Sequence, residues 1–389
     1  MAKKASKKPS DETRGNAGEW SEYYCLTKLL TEGYIETADE NLNVVEGARI
    51  IVLGLSRHGD GSELTFRISE DGTFVEVSED GVPRGTVTKE ALALESDRIY
   101  GGIKNHKSLP AEEKSSGSFA IEGTRKMMDV LGIPGLKAPS QDKTDLCVTI
   151  HDPFTTLEPE LRFSVKSYIG GNPTLLNSGD TTNFEYRLTG DAEGALSRIF
   201  GAAFVPGDGF TEIKASMEDY EKLEPNGSGL EFVGMNPTFR KNLMMVDSML
   251  PEIVAELMRI RYCSHRMSRL PKLTRELANR GVEGIDPDIG YTFYEYKMKK
   301  LLTAIALGMV PGTPWNGTED ANGGSIIIDK FGMPFLYLVY HRGDYEDFLF
   351  NHTALDSPSR GKHGYGMIYR VDGEYRVKLN LQIRYTAIR

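Results

Sequence analysis

Residues 145 to 167 constrain what this chain can fold into more tightly than any other stretch. Leu146 to Ile150 and Leu161 to Ser167 are short, apolar-rich runs of strand length, and Asp152-Pro153 to Pro159 between them favours a turn. In an antiparallel hairpin the start of one strand lies beside the end of the next. Asp145 opens the first strand and Ser164-Val165-Lys166 closes the second, so a carboxylate and an ammonium meet at the open end. Asp152 and Glu158 fall at the turn, too far away to join them. Ser164 and Lys166 are two residues apart and share one face of their strand.

Such a cluster suits phosphodiester cleavage. Carboxylates hold a divalent cation that polarises the phosphoryl oxygen, while a lysine orients water or offsets developing charge. By itself the pattern also fits an exposed hairpin ion pair. Glu19 adds to it. A helix beginning near Gly18 and closed by Gly33 places Glu19 on one face with Tyr23, Leu26 and Leu30. A carboxylate aimed at a core is costly unless paired or metal-bound. The alternative is charge stabilisation in the helix's first turn, which suits Glu19 or Glu22 equally. Glu22 lies near the edge of the apolar stripe and is the weaker metal candidate.

The 389 residues suffice for two or three domains with sizeable cores. A formal net charge of −10 argues against coating nucleic acid by bulk charge, but not against one local basic surface. Cys25, Cys147 and Cys263 are far apart and contain no C-x-x-C pair, which disfavours a disulfide framework or zinc ribbon and suits a reducing cytoplasm. Cys25 and Cys147 sit among apolar neighbours and are expected to be buried, inert thiols. The lysine-rich start has no apolar segment behind it, and Leu301 to Val310 is far short of the roughly 20 residues a membrane span needs. No membrane partner is expected.

Elsewhere, β-like runs occur at Arg49 to Leu55, Leu64 to Ser69 and Thr73 to Ser78, with a tight turn at Asp71-Gly72. Gly101 to Ser118 reads as loop and Phe119 to Leu131 as helix. Leu243 to Arg261 reads mainly as helix, with Pro251 in a first turn or at a break. Two late hairpins are expected: Ser325 to Ile328 with Phe335 to Tyr340, and Met367 to Val371 with Arg376 to Ile383, the second turning at Asp372-Gly373. The class is α+β. No G-x-x-x-x-G-K-[ST] or G-x-G-x-x-G occurs, which removes a P-loop translocase and leaves a dinucleotide fold unsupported. Asn236-Pro237-Thr238-Phe239 is a broken methyltransferase-like motif without a glycine-rich cofactor loop. His58, His106, His151, His265, His341 and His352 show no ligand spacing.

The chain resembles the HpaII family of type II restriction endonucleases. The likeness lies in Gly18-Glu19-Trp20-Ser21-Glu22, Ala38 to Asn43, Lys143-Thr144-Asp145-Leu146 and Phe163 to Ser167. It continues through Gly170 to Asn177, Thr182-Asn183-Phe184, Asn351 to Ser359 and Val377 to Arg384. The resemblance implies a PD-(D/E)XK-type core, a mixed sheet flanked by helices, with a C-terminal α+β lobe. It also implies Mg²⁺-dependent cleavage of double-stranded DNA at a short palindrome, CCGG in the family's type member, and a cognate DNA methyltransferase for the same site. On this resemblance Asp145 is the motif aspartate, Lys166 its lysine and Glu19 the helical glutamate. Thr144 replaces the motif proline, and Ser164 stands where a second acid is usual. Serine cannot supply that charge, so Glu19 and Asp145 are expected to bind the metal while Ser164 holds a water. A non-cleaving DNA-binding protein, or a repair or defence nuclease with another target, are the alternatives. The expected organisation is a basic tail at 1–16, a nuclease core at 17–240 and a DNA-recognition lobe of helices and hairpins at 241–389.

Candidate DNA contacts follow from charge and position. Leu257 to Arg280 holds seven basic residues, Arg266 and Arg269 among them, against Glu276 alone, a local charge of +6. A DNA-backbone surface is the first reading, and a solvated helix face or an interdomain ion-pair network also fits. Lys143 and the loop residues Ser167, Asn172, Thr174 and Asn177 flank the catalytic strands. Arg360, Lys362 and His363 lie in a polar, basic loop suited to reading guanine edges. A palindrome is naturally met by a homodimer, though a monomer cutting one strand at a time also suffices.

Overall fold

The computed structural model describes residues 13–58, 62–110, 117–137, 145–152, 156–264 and 267–388. It is α+β and divides into two compact units, Met1–Pro173 with Asp320–Tyr345, and Thr174–Glu319 with Glu346–Arg389. The chain therefore leaves the first unit at residue 173 and returns to it, instead of dividing at the expected point, 240. The reason is a sheet that the first segment cannot complete alone.

The first segment contains β1 (Arg14–Gly15), α1 (Ala17–Glu32), β2 (Tyr34–Thr37), β3 (Ile50–His58), β4 (Glu63–Ile68), β5 (Phe74–Glu79) and β6 (Val82–Thr88). It continues with α2 (Lys89–Asn105), β7 (Phe119–Ala120), α3 (Thr124–Val130), β8 (Leu146–His151) and β9 (Glu160–Ser167). The next segment supplies β10 (Thr174–Leu176), β11 (Asn183–Leu188), α4 (Ala192–Phe200), β12 (Ile213–Lys214), α5 (Met217–Glu221) and β13 (Leu230–Met235). It ends with α6 (Pro237–Val246), α7 (Leu250–Cys263), α8 (Leu270–Arg280) and α9 (Tyr291–Ala306). The remainder is β14 (Gly324–Ile328), β15 (Pro334–Leu338), α10 (Arg342–Asn351), β16 (Thr353–Asp356), β17 (Met367–Val371), β18 (Glu374–Asn380) and β19 (Gln382–Tyr385).

In the first unit nine strands run in the order β2-β15-β14-β9-β8-β3-β4-β5-β6, and β2 also pairs with β3. The late hairpin of β14 and β15 joins this sheet through a parallel pairing of β14 with β9, Ser325 opposite Ser164 and Ile327 opposite Lys166. Without that hairpin β9 is an edge strand. Close approach at its start requires a glycine. A Cβ on Gly324, which sits at φ +121°, would meet the Tyr337 carbonyl oxygen at 2.0 Å.

Helix α1 packs its Trp20, Tyr23, Leu26, Leu29 and Leu30 into the core with Leu55, Leu146, Phe163 and Val165 of the sheet. Each such fully buried side chain contributes roughly 1.5–3 kcal/mol. Asn16 caps the helix, accepting from the backbone N–H groups of Gly18 and Glu19, and Gly33 ends it in the left-handed conformation. The turn at Asp71-Gly72 and the buried thiols Cys25 and Cys147 are as expected, and Cys263 is buried as well.

The second unit has a five-stranded sheet, β12-β17-β18-β11-β13, and a three-stranded one, β10-β19-β16. The turn at Asp372-Gly373 is present, but Arg376 to Ile383 is not one strand. Leu381 separates β18 from β19, and the two lie in different sheets. The fully buried Asn380 sits at that switch, donating to the carbonyl oxygen of Gly179 and to Asn183 Oδ1, each at 2.8 Å. Leu243 to Arg261 is likewise two helices, broken at Asp247 to Met249, with Pro251 in the first turn of α7. Gly101 to Ser118 is not all loop, because α2 runs to Asn105. Phe119 to Leu131 is a short strand and then a helix. Among the described residues no helix is long and apolar enough to cross a membrane.

Candidate active site

The antiparallel hairpin of β8 and β9 places Leu146 opposite Phe163 and Cys147 opposite Arg162, with its open end where the sequence puts it. Asp145 extends the pairing by donating its backbone N–H to the Phe163 carbonyl at 3.2 Å. Its side chain then turns onto β9. Oδ2 accepts from the Val165 backbone N–H at 2.6 Å and from Ser164 Oγ at 3.3 Å, and lies 4.0 Å from Lys166 Nζ. The Asp145 and Lys166 side chains are each 24% exposed, so solvent and substrate can reach both. Lys166 Nζ also donates to the Val165 carbonyl oxygen at 3.2 Å. Because β14 covers the other side of β9, this cluster stands on an interior strand of the sheet and not on an edge.

Helix α1 contributes Glu22. Its carboxyl is pushed up to about 8, first by burial and then by the negative charge of Asp145, with Glu19 adding to the rise. Lys166 and Arg57 oppose the shift. The neighbouring Cys25 thiol is likewise held up by burial, then by Asp145 and Glu22. Two carboxylates thus converge on one place, beside one ammonium and one guanidinium.

Glu19, the residue favoured by the sequence, is engaged at the helix terminus. Its Oε2 accepts from the Asn16 backbone N–H at 2.8 Å, completing a capping box with the Asn16 side chain. The helix-end reading describes its contacts, and Glu22 is the α1 acid whose charge is coupled to Asp145 and Lys166. A helical wheel ranks residues by azimuth alone, so it favoured Glu19. Glu22 lies about one turn further along the axis than Glu19, which is what brings it towards Asp145 and Lys166.

Among the described residues no group of three or more His, Cys, Asp or Glu side chains is placed to hold a metal ion. The donor set present is Glu22, Asp145 and the Ser164 hydroxyl. Mg²⁺ retains several waters and commonly takes one or two protein carboxylates plus phosphate oxygens, so the residues fit that ion and do not make a closed protein cage. The Asp145 charge that adds to the burial-driven rise of Glu22 is also what a bound cation would offset.

The expected DNA contacts separate into several groups. Lys143 and Arg266 lie outside the described residues. In the first unit, Ser167 Oγ accepts from the Ile169 backbone N–H at 3.1 Å and Asn172 is exposed. In the second unit, Thr174 pairs across from Arg384 and Asn177 is exposed. The loop from Ser167 to Asn177 is thus divided between units. The basic block does not form one surface. Arg259 pairs with Glu256 and Glu224, Arg280 with Glu276, and the buried Arg261 donates to the Leu355 carbonyl. Arg269, Lys272 and Arg275 remain exposed around α8. Arg360 and Lys362 are exposed in their loop, whereas His363 adopts φ 58° and lies 3.3 Å from Asp180 Oδ1. Lys214 of β12 was missed by sequence. Its Cε lies 3.9 Å from where a Cβ on Gly361 would stand, which brings a third cation to Arg360 and Lys362 from far along the chain.

The family model described as HpaII restriction endonuclease matches residues 16–385. The chain is also 30% identical over 376 residues to the type II restriction enzyme HpaII of Haemophilus parainfluenzae, covering 95% of this chain and 98% of that one. No solved structure matches.

Proposed function

The chain belongs to the HpaII restriction endonuclease family and is a site-specific deoxyribonuclease, and we propose that it cuts double-stranded DNA at a short palindrome, CCGG, by Mg²⁺-dependent hydrolysis. The observation that carries this reading is the convergence of Asp145, Ser164 and Lys166 at the open end of one hairpin, with Glu22 facing them from α1. The mixed sheet, with its catalytic hairpin next to a parallel strand, supports a PD-(D/E)XK-type core. The carboxylates of Glu22 and Asp145 hold the cation, with Ser164 fixing a water beside it. A cation bound there supplies electrostatic stabilisation of charge on the phosphate oxygens.

The protein's own part is positional. Val165 N–H and Ser164 Oγ hold Asp145 in place. The Lys166 ammonium orients a water in line with the P–O3′ bond and offsets charge as that bond breaks. The water oxygen bonds to phosphorus, and the strand ends become a 5′-phosphate and a 3′-hydroxyl. Arg269, Lys272, Arg275, Lys214, Arg360 and Lys362 supply phosphate and base contacts, with Asn172, Thr174 and Asn177 alongside. A homodimer matches the symmetry of the target, and a methyltransferase of the same specificity protects the host's own sites in a shared cytoplasm. Incubation with plasmid and Mg²⁺ gives discrete fragments on this reading, and sequencing their ends gives target and stagger. A binding protein without nuclease activity yields none in any metal, and fragments ending elsewhere than CCGG replace the proposed target.

A further inference from the structure

Among the described residues of the first unit Arg57 forms no ion pair with a carboxylate. The residue is the last but one of β3, which ends at His58, and it is half-buried. The antiparallel pairing of β3 with β8 sets Ser56 opposite Cys147, so β3 runs on through Arg57 as β8 runs back towards Asp145. The guanidinium reaches off the sheet and donates to the Leu136 carbonyl oxygen. Leu136 itself lies against the entry to α1, since a Cβ on Gly15 would stand 2.5 Å from its Cδ1 and 3.0 Å from Glu19 Oε2. Arg57 therefore spans from the sheet that carries Asp145 to the α1 terminus that carries Glu19, and Glu22 of the same helix is its strongest electrostatic neighbour.

Among the described residues that single N–H to Leu136 is the only hydrogen bond the Arg57 side chain makes, and no carboxylate lies within ion-pair distance of it. A guanidinium has five N–H donors in a planar fork. A partly buried cation with most donors unspent is costly to keep, and burial here acts to lower its proton affinity. Its electrostatic neighbours are Glu22 and Tyr23. The carboxylates beside it gather a cation in the proposed reaction, which leaves the guanidinium free to meet the anion of the substrate. The fork matches two phosphate oxygens, a geometry a lysine cannot reproduce.

We propose that Arg57 is a phosphate-binding residue of the active site, its fork clasping a DNA phosphodiester next to the scissile bond while Leu136 fixes its direction. The proposal rests on the nuclease reading above and adds a substrate contact to it. A merely structural Arg57, bracing the Leu136 segment, would lower the rate on every substrate alike.

The test couples the side chain to one phosphate. Duplexes bearing the target mapped from plasmid fragments are made with a single neutral methylphosphonate at each phosphate flanking the scissile one. Single-turnover cleavage is measured with wild type, Arg57→Gln and Arg57→Lys, each checked for its melting temperature and for binding to unmodified DNA. One methylphosphonate is expected to slow wild type by about 10-fold or more, as for loss of a charge-assisted hydrogen bond. The same modification then changes the rate of Arg57→Gln by less than about twofold, because the contact is already gone. Should the Gln variant fail to fold, Arg57→Lys carries the series, with its sensitivity to that phosphate reduced relative to wild type. Losses that simply multiply at every phosphate overturn the inference while leaving the nuclease intact. Wild-type protein that yields no fragments overturns both.

Discussion

At the scale of single residues, the site is defined by who shares charge with whom. Lys166→Ala removes the ammonium 4.0 Å from Asp145, and its cleavage rate is expected to fall about 10²–10³-fold with folding and DNA binding retained. Cleavage at the wild-type rate would remove Lys166 from the site. Glu22→Gln should abolish activity at low Mg²⁺, whereas Glu19→Gln should mainly lower stability. A titration of rate against Mg²⁺ for the two variants separates them. The raised carboxyl of Glu22 gives a further outcome. Its folded-state value of about 8 lies above the ordinary 4.5, so the folded state binds the extra proton between those pH values. The associated stability is fully present below about pH 4.5 and is lost as pH rises through 8. In metal-free buffer Glu22→Gln should therefore gain melting temperature over wild type at pH 8, and Mg²⁺ should stabilise wild type more at pH 8 than at pH 6. A flat difference across that range contradicts the placement of Glu22. Asp145, Ser164 and Lys166 were legible in the sequence because strand periodicity fixes who sits beside whom in a hairpin. Glu22 was seen only as the weaker candidate, and Arg57 and Lys214 were not seen, since each enters from a separate element.

At the scale of elements, boundaries followed the punctuation that the chain carries. Gly33, Asp71-Gly72 and Asp372-Gly373 end or turn their elements as read, because local backbone chemistry suffices there. Leu243 to Arg261 and Arg376 to Ile383 each read as one element and are two, since the breaks serve packing in the second unit. Asn16→Ala removes the cap of α1 and is expected to cost about 1 kcal/mol in urea unfolding. A loss much nearer zero would mean that Glu19 alone secures the terminus. For α8, replacing Arg269, Lys272 and Arg275 with alanine should flatten the salt dependence of DNA binding, by about 0.9 in the log–log slope for each phosphate contact removed. An unchanged slope would show that those side chains stay in solvent. The compact +6 block seen in sequence overstated the matter, because Arg259, Arg261 and Arg280 are committed to internal partners.

At the scale of the whole molecule, the sequence showed an α+β protein and the order of most elements, but not that the chain visits its first unit twice. Nothing local in Ser325 to Tyr340 announces a parallel partner as distant as β9. A fragment of residues 17–240, the expected core, lacks β14 and β15 and should neither fold cooperatively nor cut. Circular dichroism melting of that fragment checks the point, and a sharp transition with native-like signal would contradict it. The excess of acid, −10 overall, suits an enzyme that must release random DNA while holding its target. The parallel seating of β14 on β9 also sets a clock. Asp145, Ser164 and Lys166 all lie in the first half of the chain, yet the strand that carries two of them gains its second neighbour only after residue 328 has emerged. During synthesis the cutting machinery is thus among the last parts to close, and an interrupted or truncated product lacks the second neighbour of its catalytic strand.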